Sequence, residues 1–444
     1  MGAPLQVEFP FEGGRRARAV FDAGQISSDG GAILLAEVER RTGLLRAMAD
    51  TLPDRRNPVF VQHSVHDLLR QRVFQIALGY EDCNDATTLR HDPVLKTCCG
   101  RDPVDDADLA SQPTLSRLEN AASATSCYRM ARVLLDSYCT RCRRPPVYIT
   151  LDVDTTGDPT HGQQELRFYN AYYGEYVYQP LLVFDQDGDL ITAVLQPGKT
   201  GGPRAVASVI KRLVRHLRRR FADVPILVRG DSGFAAPELY HLCEAFDLYF
   251  LVGIGANKRL NAMAARLEEK ARRRFLRTGQ KVRLFHAVRY RARKRWPRTY
   301  RVVIKCEHST LGKNTRFVVT NLPGRADGFY DWYAERGEAS ENSIKDLKRA
   351  LKADRLSCHR FVANQFRLLL HAAAYVLMYE LRRAAHGTEL AEAQMDTIRL
   401  RLLKIGARVE STVRRIWLHL STSFPLQSLF ATIANRLRLA TGFA

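Results

Sequence analysis

Two strand-like runs of this chain end on an aspartate, Val147 to Asp154 and Ile226 to Asp231, and they limit the fold more than any other feature. The apolar pattern around them predicts further strands at 177–185, 190–195 and 248–254, with helices at 204–221 and 237–246. The order β-β-β-α-β-α-β is that of an α/β core. Acids ending central strands gather at the carboxyl edge of such a sheet, where ligands bind. A third acid, Glu341, opens a stretch predicted helical as far as Lys352. Two strand-borne aspartates and a helix-borne glutamate can hold two divalent cations. Such a pair, roughly 3.5–4 Å apart, clamps the attacking and leaving oxygens of a phosphodiester.

Each acid has a plainer reading. Asp152 and Asp154 lie two apart on one strand and share a face, so either is a candidate ligand and the other its neighbour. Asp231 follows Arg229-Gly230 and precedes Ser232-Gly233-Phe234, where an aspartate also serves as a turn cap. Glu341, Lys345 and Lys348 fall at i, i+4 and i+7, hence on one helix face. A salt-bridged surface helix has that pattern, and so has a helix crossed by a phosphate backbone.

Charge favours the second reading. The 444 residues carry a net charge of +21, which points to a polyanionic partner. Residues 258–305 hold 18 Lys/Arg against Glu268 and Glu269, or +16 of that total. A run so one-signed repels itself unless a polyanion lies against it. Its pattern predicts a helix (260–275) and two strands (281–291, 299–305). Arg289, Arg291, Arg293, Lys294 and Arg295 alternate there with Tyr290 and Trp296 as a nucleic-acid contact. No membrane role is expected. The most apolar stretch, Leu368 to Met378, is short for ~30 Å of hydrocarbon, and residues 1–20 lack the apolar core of a signal peptide. A cytosolic setting and an odd count of nine cysteines argue against a disulfide framework. Cys139 and Cys142 lack a zinc-finger partner pair and read as inert thiols.

The remaining segments complete the organisation. Residues 1–144 read as mostly helical, after short strands about Gly13-Gly14 and a cap at Ser27-Ser28-Asp29. Residues 145–256 form the first part of the core, 257–314 the basic β-rich insertion, and 315–385 the second part with the Glu341 helix. Residues 386–444 read as a hairpin, with Arg399 to Leu402 in a strand, followed by a helix from Pro425.

Several stretches resemble the DDE transposases of bacterial insertion sequences, in the group called transposase DDE domain group one. They are Ser28-Asp29-Gly30-Gly31, Gly79-Tyr80-Glu81-Asp82, Leu109 to Asn120, Asp154-Thr155-Thr156 and Thr160 to Gln164. They continue with Arg229 to Phe234, Thr320-Asn321-Leu322, and Tyr333, Arg336, Glu341 and Lys348. The resemblance implies an RNase H-like core interrupted before the glutamate helix. It implies Asp154, Asp231 and Glu341 as catalytic ligands of Mg²⁺ in a two-metal site, with Mn²⁺ as substitute. Asp154 carries the Asp-x-Thr motif, and Asp152 is the alternative. Tyr333, Arg336 and Lys348 would hold DNA near the scissile phosphate, and the basic insertion and the N-terminal helices would grip the element ends. Lys345 joins the expected DNA contacts by its place on the Glu341 helix face. The implied activity is cleavage at element ends and strand transfer into a target, by a dimer on DNA in the bacterial cytoplasm at the nucleoid. The rivals are a nuclease or resolvase of the same fold without strand transfer, and a non-catalytic DNA-binding derivative. One departure stands out: four residues separate Arg336 from Glu341, where the resembled enzymes have three. Either the helix starts later, with Ser340 as its N-cap, or Arg336 is displaced, which makes Glu338 a minor competitor of Glu341.

Overall fold

The computed structural model describes residues 5–10, 13, 15–142, 144–199, 202–292 and 296–439, without the side chains of 338 and 339. The chain forms two compact units. One comprises 1–121, 350–352 and 373–444, and the other 122–349 and 353–372.

The first unit is mainly helical with two small sheets. Gln6–Pro10 pairs with Arg16–Val20, and the hairpin Ala407–Thr412/Arg415–Leu420 pairs with Ile26–Ser27. Helix Val65–Leu78 starts at a reciprocal Ser64/Asp67 capping box and stops at Gly79 in the left-handed region. Its Arg72 is buried against Glu119 at 2.9 Å. Two expectations are corrected here. Asp29 does not cap a helix with its side chain. Its carboxylate instead accepts from Tyr80 at 2.8 Å and pairs with Lys404 at 2.6 Å. Gly31 is glycine for room, since a Cβ would meet the Leu402 carbonyl at 2.1 Å. Arg399–Leu403 is a π-helical turn and not a strand. Buried Leu402 and Leu403 together with Arg399, which donates to Ala77 and Ala350 carbonyls, override the two-residue alternation.

The second unit is built on an eight-stranded mixed sheet. Its order is Val282–Tyr290, Tyr300–Ser309, Gly312–Thr320, Tyr249–Ile254, Ile226–Gly230, Ile149–Thr155, Leu181–Phe184, Leu190–Val194. Ile226–Gly230 runs parallel to both neighbours, and all other pairs are antiparallel. The strands of the basic insertion therefore continue the core sheet. Alternation sorts the two faces. Ile149, Leu151, Val153, Ile226 and Val228 pack with helices Pro203–Arg220, Pro237–Ala245 and Lys258–Thr278. Leu227, Leu251, Val303 and Val318 pack with Phe329 and Tyr330 of helix Ala326–Lys345 on the other face. The strand expected at 177–185 is two strands, Glu175–Tyr178 and Leu181–Phe184, in different sheets. Pro180 between them lacks the donor a continuous ladder needs. Tyr290 and Trp296, expected among the nucleic-acid contacts, are buried with Tyr240 and Tyr300 in an aromatic cluster.

Helix Phe361–Ala384 has 24 residues and is long and apolar enough to cross a membrane by length and composition alone. Most of its apolar window is buried inside the protein.

Candidate active site

The even-numbered side chains of Ile149–Thr155 face helix Ala326–Lys345, and this parity places Asp152 and Asp154 on the helix-covered face. Their fates differ. Asp152 lies opposite Arg229 in the ladder, and the guanidinium grips both carboxylate oxygens at 2.6 Å. Arg229 also donates to the Trp332 carbonyl at 2.7 Å. Asp152 is thus saturated and buried, a fastener between strands and helix.

Asp154 is more open. One oxygen accepts from the Thr155 amide at 2.8 Å and the other from Arg336 at 2.9 Å. Burial pushes its carboxyl above the ordinary value; Arg336 opposes this, and the charge of Asp231 adds to it. Asp231 caps the turn Ser232–Phe234, accepting from the Gly233 amide at 2.9 Å, and is exposed. The two aspartates at the ends of adjacent parallel strands therefore form one electrostatic site.

Tyr333 closes that site from the helix. Its hydroxyl pKa is raised by burial, lowered by Arg336 and raised again by Asp231 and Asp154. Gly253 makes room for it, because a Cβ there would meet the hydroxyl at 2.5 Å. A glycine inside a strand signals such close approach, and this one escaped the sequence reading. Arg336 is buried and donates also to the Val153 carbonyl at 3.1 Å. Lys348 extends the arrangement. Its ammonium reaches Thr156 Oγ1 at 3.0 Å, the Gly157 carbonyl at 2.6 Å and Asp158 at 3.1 Å. Asp158 is fully buried, and its carboxyl is pushed up to about 7 by burial, with Lys348 opposing. Lys348 and Asp158 thus tie the far end of the helix to the turn after Asp154.

Glu341 is not brought to the aspartates. The helix begins at Ala326, so Ser340 is interior and no cap. At about 100° per residue, Glu341 points roughly 140° away from Arg336. Ser340 and Ser343 occupy the buried face in its place, and among the described residues the Ser340 hydroxyl has no hydrogen-bond partner. Glu341 is 67% exposed and pairs with Lys345 at 2.8 Å, which holds its carboxyl below the usual range. Just beyond, Asp346–Ala350 forms a π-helical turn. Such a turn accommodates one extra residue in an α-helix.

The basic contacts expected from sequence are scattered. Arg289 and Arg291 are exposed, and Arg291 donates to the Pro297 carbonyl at 3.3 Å. Arg293, Lys294 and Arg295 lie outside the described residues. Cys139 is buried and Cys142 half-buried, and burial raises both thiols.

Asp154 and Asp231 are the hard oxygen donors that a divalent cation of the magnesium type takes, and their repulsion is what such an ion relieves. Arg336 supplies the countercharge here. Among the described residues no group of three or more His, Cys, Asp or Glu is gathered to hold a metal. The fit is good for two acids and incomplete for the third.

The family model described as Transposase DDE domain group 1 matches residues 9–441. Among solved structures the chain is similar to one titled "Cryo-EM structure of piggyBac transposase synaptic complex with hairpin DNA (SNHP)". The identity is 10%, with 93% of this chain and 84% of that chain covered at a TM-score of 0.43. No curated protein matches.

Proposed function

The chain belongs to the transposase DDE domain group 1 family and is a DNA transposase, and we propose that Asp154, Asp231 and Glu341 are its catalytic carboxylates. The family's reaction is metal-dependent cutting and joining of DNA. The observation that supports the assignment is the pair of aspartates at adjacent parallel strand ends, with Arg336 paired to Asp154 and Tyr333 seated over Gly253. A bound divalent ion, Mg²⁺ or its substitute Mn²⁺, supplies Lewis-acid stabilisation of phosphodiester oxygens. Asp154 and Asp231 would hold it in an RNase H-like core. Arg336 then gains a second role. Once released from Asp154, its guanidinium is free for a phosphate. Tyr333 donates a hydroxyl at the same edge. Lys348 seats the helix through Asp158 and, in this reading, also holds DNA near the scissile phosphate with Tyr333. Lys345 and the exposed insertion arginines Arg289 and Arg291 are the DNA-backbone contacts. A dimer that holds two element ends together is part of this reading.

Glu341 completes the site through the π-turn. The resemblance implies one residue fewer between Arg336 and Glu341, and the π-turn after Glu341 is where such a surplus residue would be absorbed. Moving the π-turn to 336–341 would turn Glu341 by about 100° onto the Arg336 face. Deletion of Ala339 mimics that move by removing the surplus residue. The shortened protein, without DNA, is expected to bind Mn²⁺ at least about tenfold more tightly by electron paramagnetic resonance, one ligand being worth ~1.4 kcal/mol or more. Unchanged Mn²⁺ affinity in a folded variant would remove Glu341 from the site.

The reaction itself is tested with a labelled element end, Mg²⁺ and a plasmid target. Transposition predicts cut ends followed by joined products. Cleavage without joining leaves a nuclease, and neither product leaves a DNA-binding derivative.

A further inference from the structure

Between Asp158 and Tyr178 the second unit carries a small antiparallel sheet of Asp158–Pro159, Glu175–Tyr178 and Phe168–Asn170. It is crowded with exposed aromatic rings. Tyr172 at the hairpin tip is 88% exposed, and Tyr169 and Tyr176 are 48% and 46% exposed. Tyr169 and Tyr176 are cross-strand partners with ring centroids 5.7 Å apart. The Arg167 guanidinium sits 4.4 Å from the Tyr176 ring centre. The one ring contact of Tyr172 among the described residues is the edge-on Tyr173 at 5.0 Å.

The tip is held in place rather than loose. Asn170 accepts from the Tyr172 amide at 3.0 Å and donates to the Gly198 carbonyl at 3.1 Å. Gly174, at φ 73°, closes the turn. Below it Tyr173 packs on Gly157, where a Cβ would come within 2.8 Å of the ring. Tyr173 feels the charges of both Asp154 and Asp158. At the base, Gln164 donates to the carbonyls of Leu356 and Cys358 at 2.6 and 2.8 Å.

We propose that this tyrosine hairpin is a stacking platform for an unpaired base beside the phosphate held at Asp154. The inference rests on the reading of that site as a DNA-cutting one. Every base has a π-face, so exposed tyrosines bind unpaired strands with little sequence preference. An arginine over such a ring adds a cation to the platform. Paired bases inside a duplex hide their faces, so the platform selects a frayed or extruded nucleotide. Continuity supports this occupant: the hairpin grows from the turn directly after Asp154, and Tyr173 joins platform to site.

The test uses the full chain and two probes, a single-stranded oligonucleotide with one 2-aminopurine and a duplex of the same length. The parent should quench 2-aminopurine fluorescence on binding. Tyr172→Ala should lose the quenching and about tenfold in single-strand affinity, Tyr172→Trp should retain both, and duplex affinity should be equal for all three. The exposure of Tyr172 makes a folding defect unexpected, and thermal melting verifies it. Equal single-strand binding and quenching by Tyr172→Ala overturns the proposal. So does equal loss for both probes, or a change of oligomeric state alone in sedimentation, which would make the hairpin an interface between copies. A parent without nuclease activity sinks the reading of the site, whereas loss of quenching with cleavage intact bears on the hairpin alone.

Discussion

Asp231→Asn is expected to lower DNA cleavage at least about a thousandfold while leaving DNA affinity within about twofold. One carboxylate ligand contributes several kcal/mol of charge stabilisation at the reacting phosphate, and each ~1.4 kcal/mol is a factor of ten. The fold should tolerate the change. Asp231 is exposed, and its structural role is to accept one amide hydrogen bond, which an asparagine oxygen also accepts. The measurement pairs a gel assay of cleavage with a binding titration on the same labelled end. Cleavage within tenfold of the parent would show that Asp231 is only the cap of its turn.

Arg229→Ala is expected to cost about 3–5 kcal/mol of stability, because it strands the buried Asp152 carboxylate without its partner. The Trp332 carbonyl loses its donor as well, so the start of the glutamate helix loosens from the sheet. Urea unfolding followed by circular dichroism reads the cost directly. Asp152→Asn sharpens the test, since it should lose stability yet keep cleavage in the folded protein. If Asp152→Asn instead kept stability and lost cleavage, Asp152 and not Asp154 would be the first acid.

Much of this was legible in the residues. Runs of β-branched and apolar residues specified the strands at Ile149–Thr155, Ile226–Gly230 and Tyr249–Ile254, because central strands are buried on both faces. The position of Asp154 and Asp231 at their ends followed from the same pattern. Pairing was not legible. Nothing local says that Arg229 will stand opposite Asp152 in the ladder, so two equivalent-looking aspartates could not be told apart by spacing. The hidden seat of Tyr333 over Gly253 is likewise a long-range fact. Aromatic residues among arginines misled for a related reason. Tyr290 and Trp296 alternate with charge as a nucleic-acid surface does, but a twisted sheet edge needs a core of its own, and they supply it. The helix carrying Glu341 shows the opposite weakness. Ser340 looks like a cap, yet tertiary packing of Phe329, Tyr330 and Arg336 carries the helix straight through it.

The continuous sheet makes the insertion a lever. Gly312–Thr320 bonds to Tyr249–Ile254, which bonds to the strand that ends at Asp231. In the proposed function, a load on the exposed Arg289 of the outer strand Val282–Tyr290 would pass through ladder hydrogen bonds to that strand. The proposed grip and the proposed cutting edge would then belong to one plate.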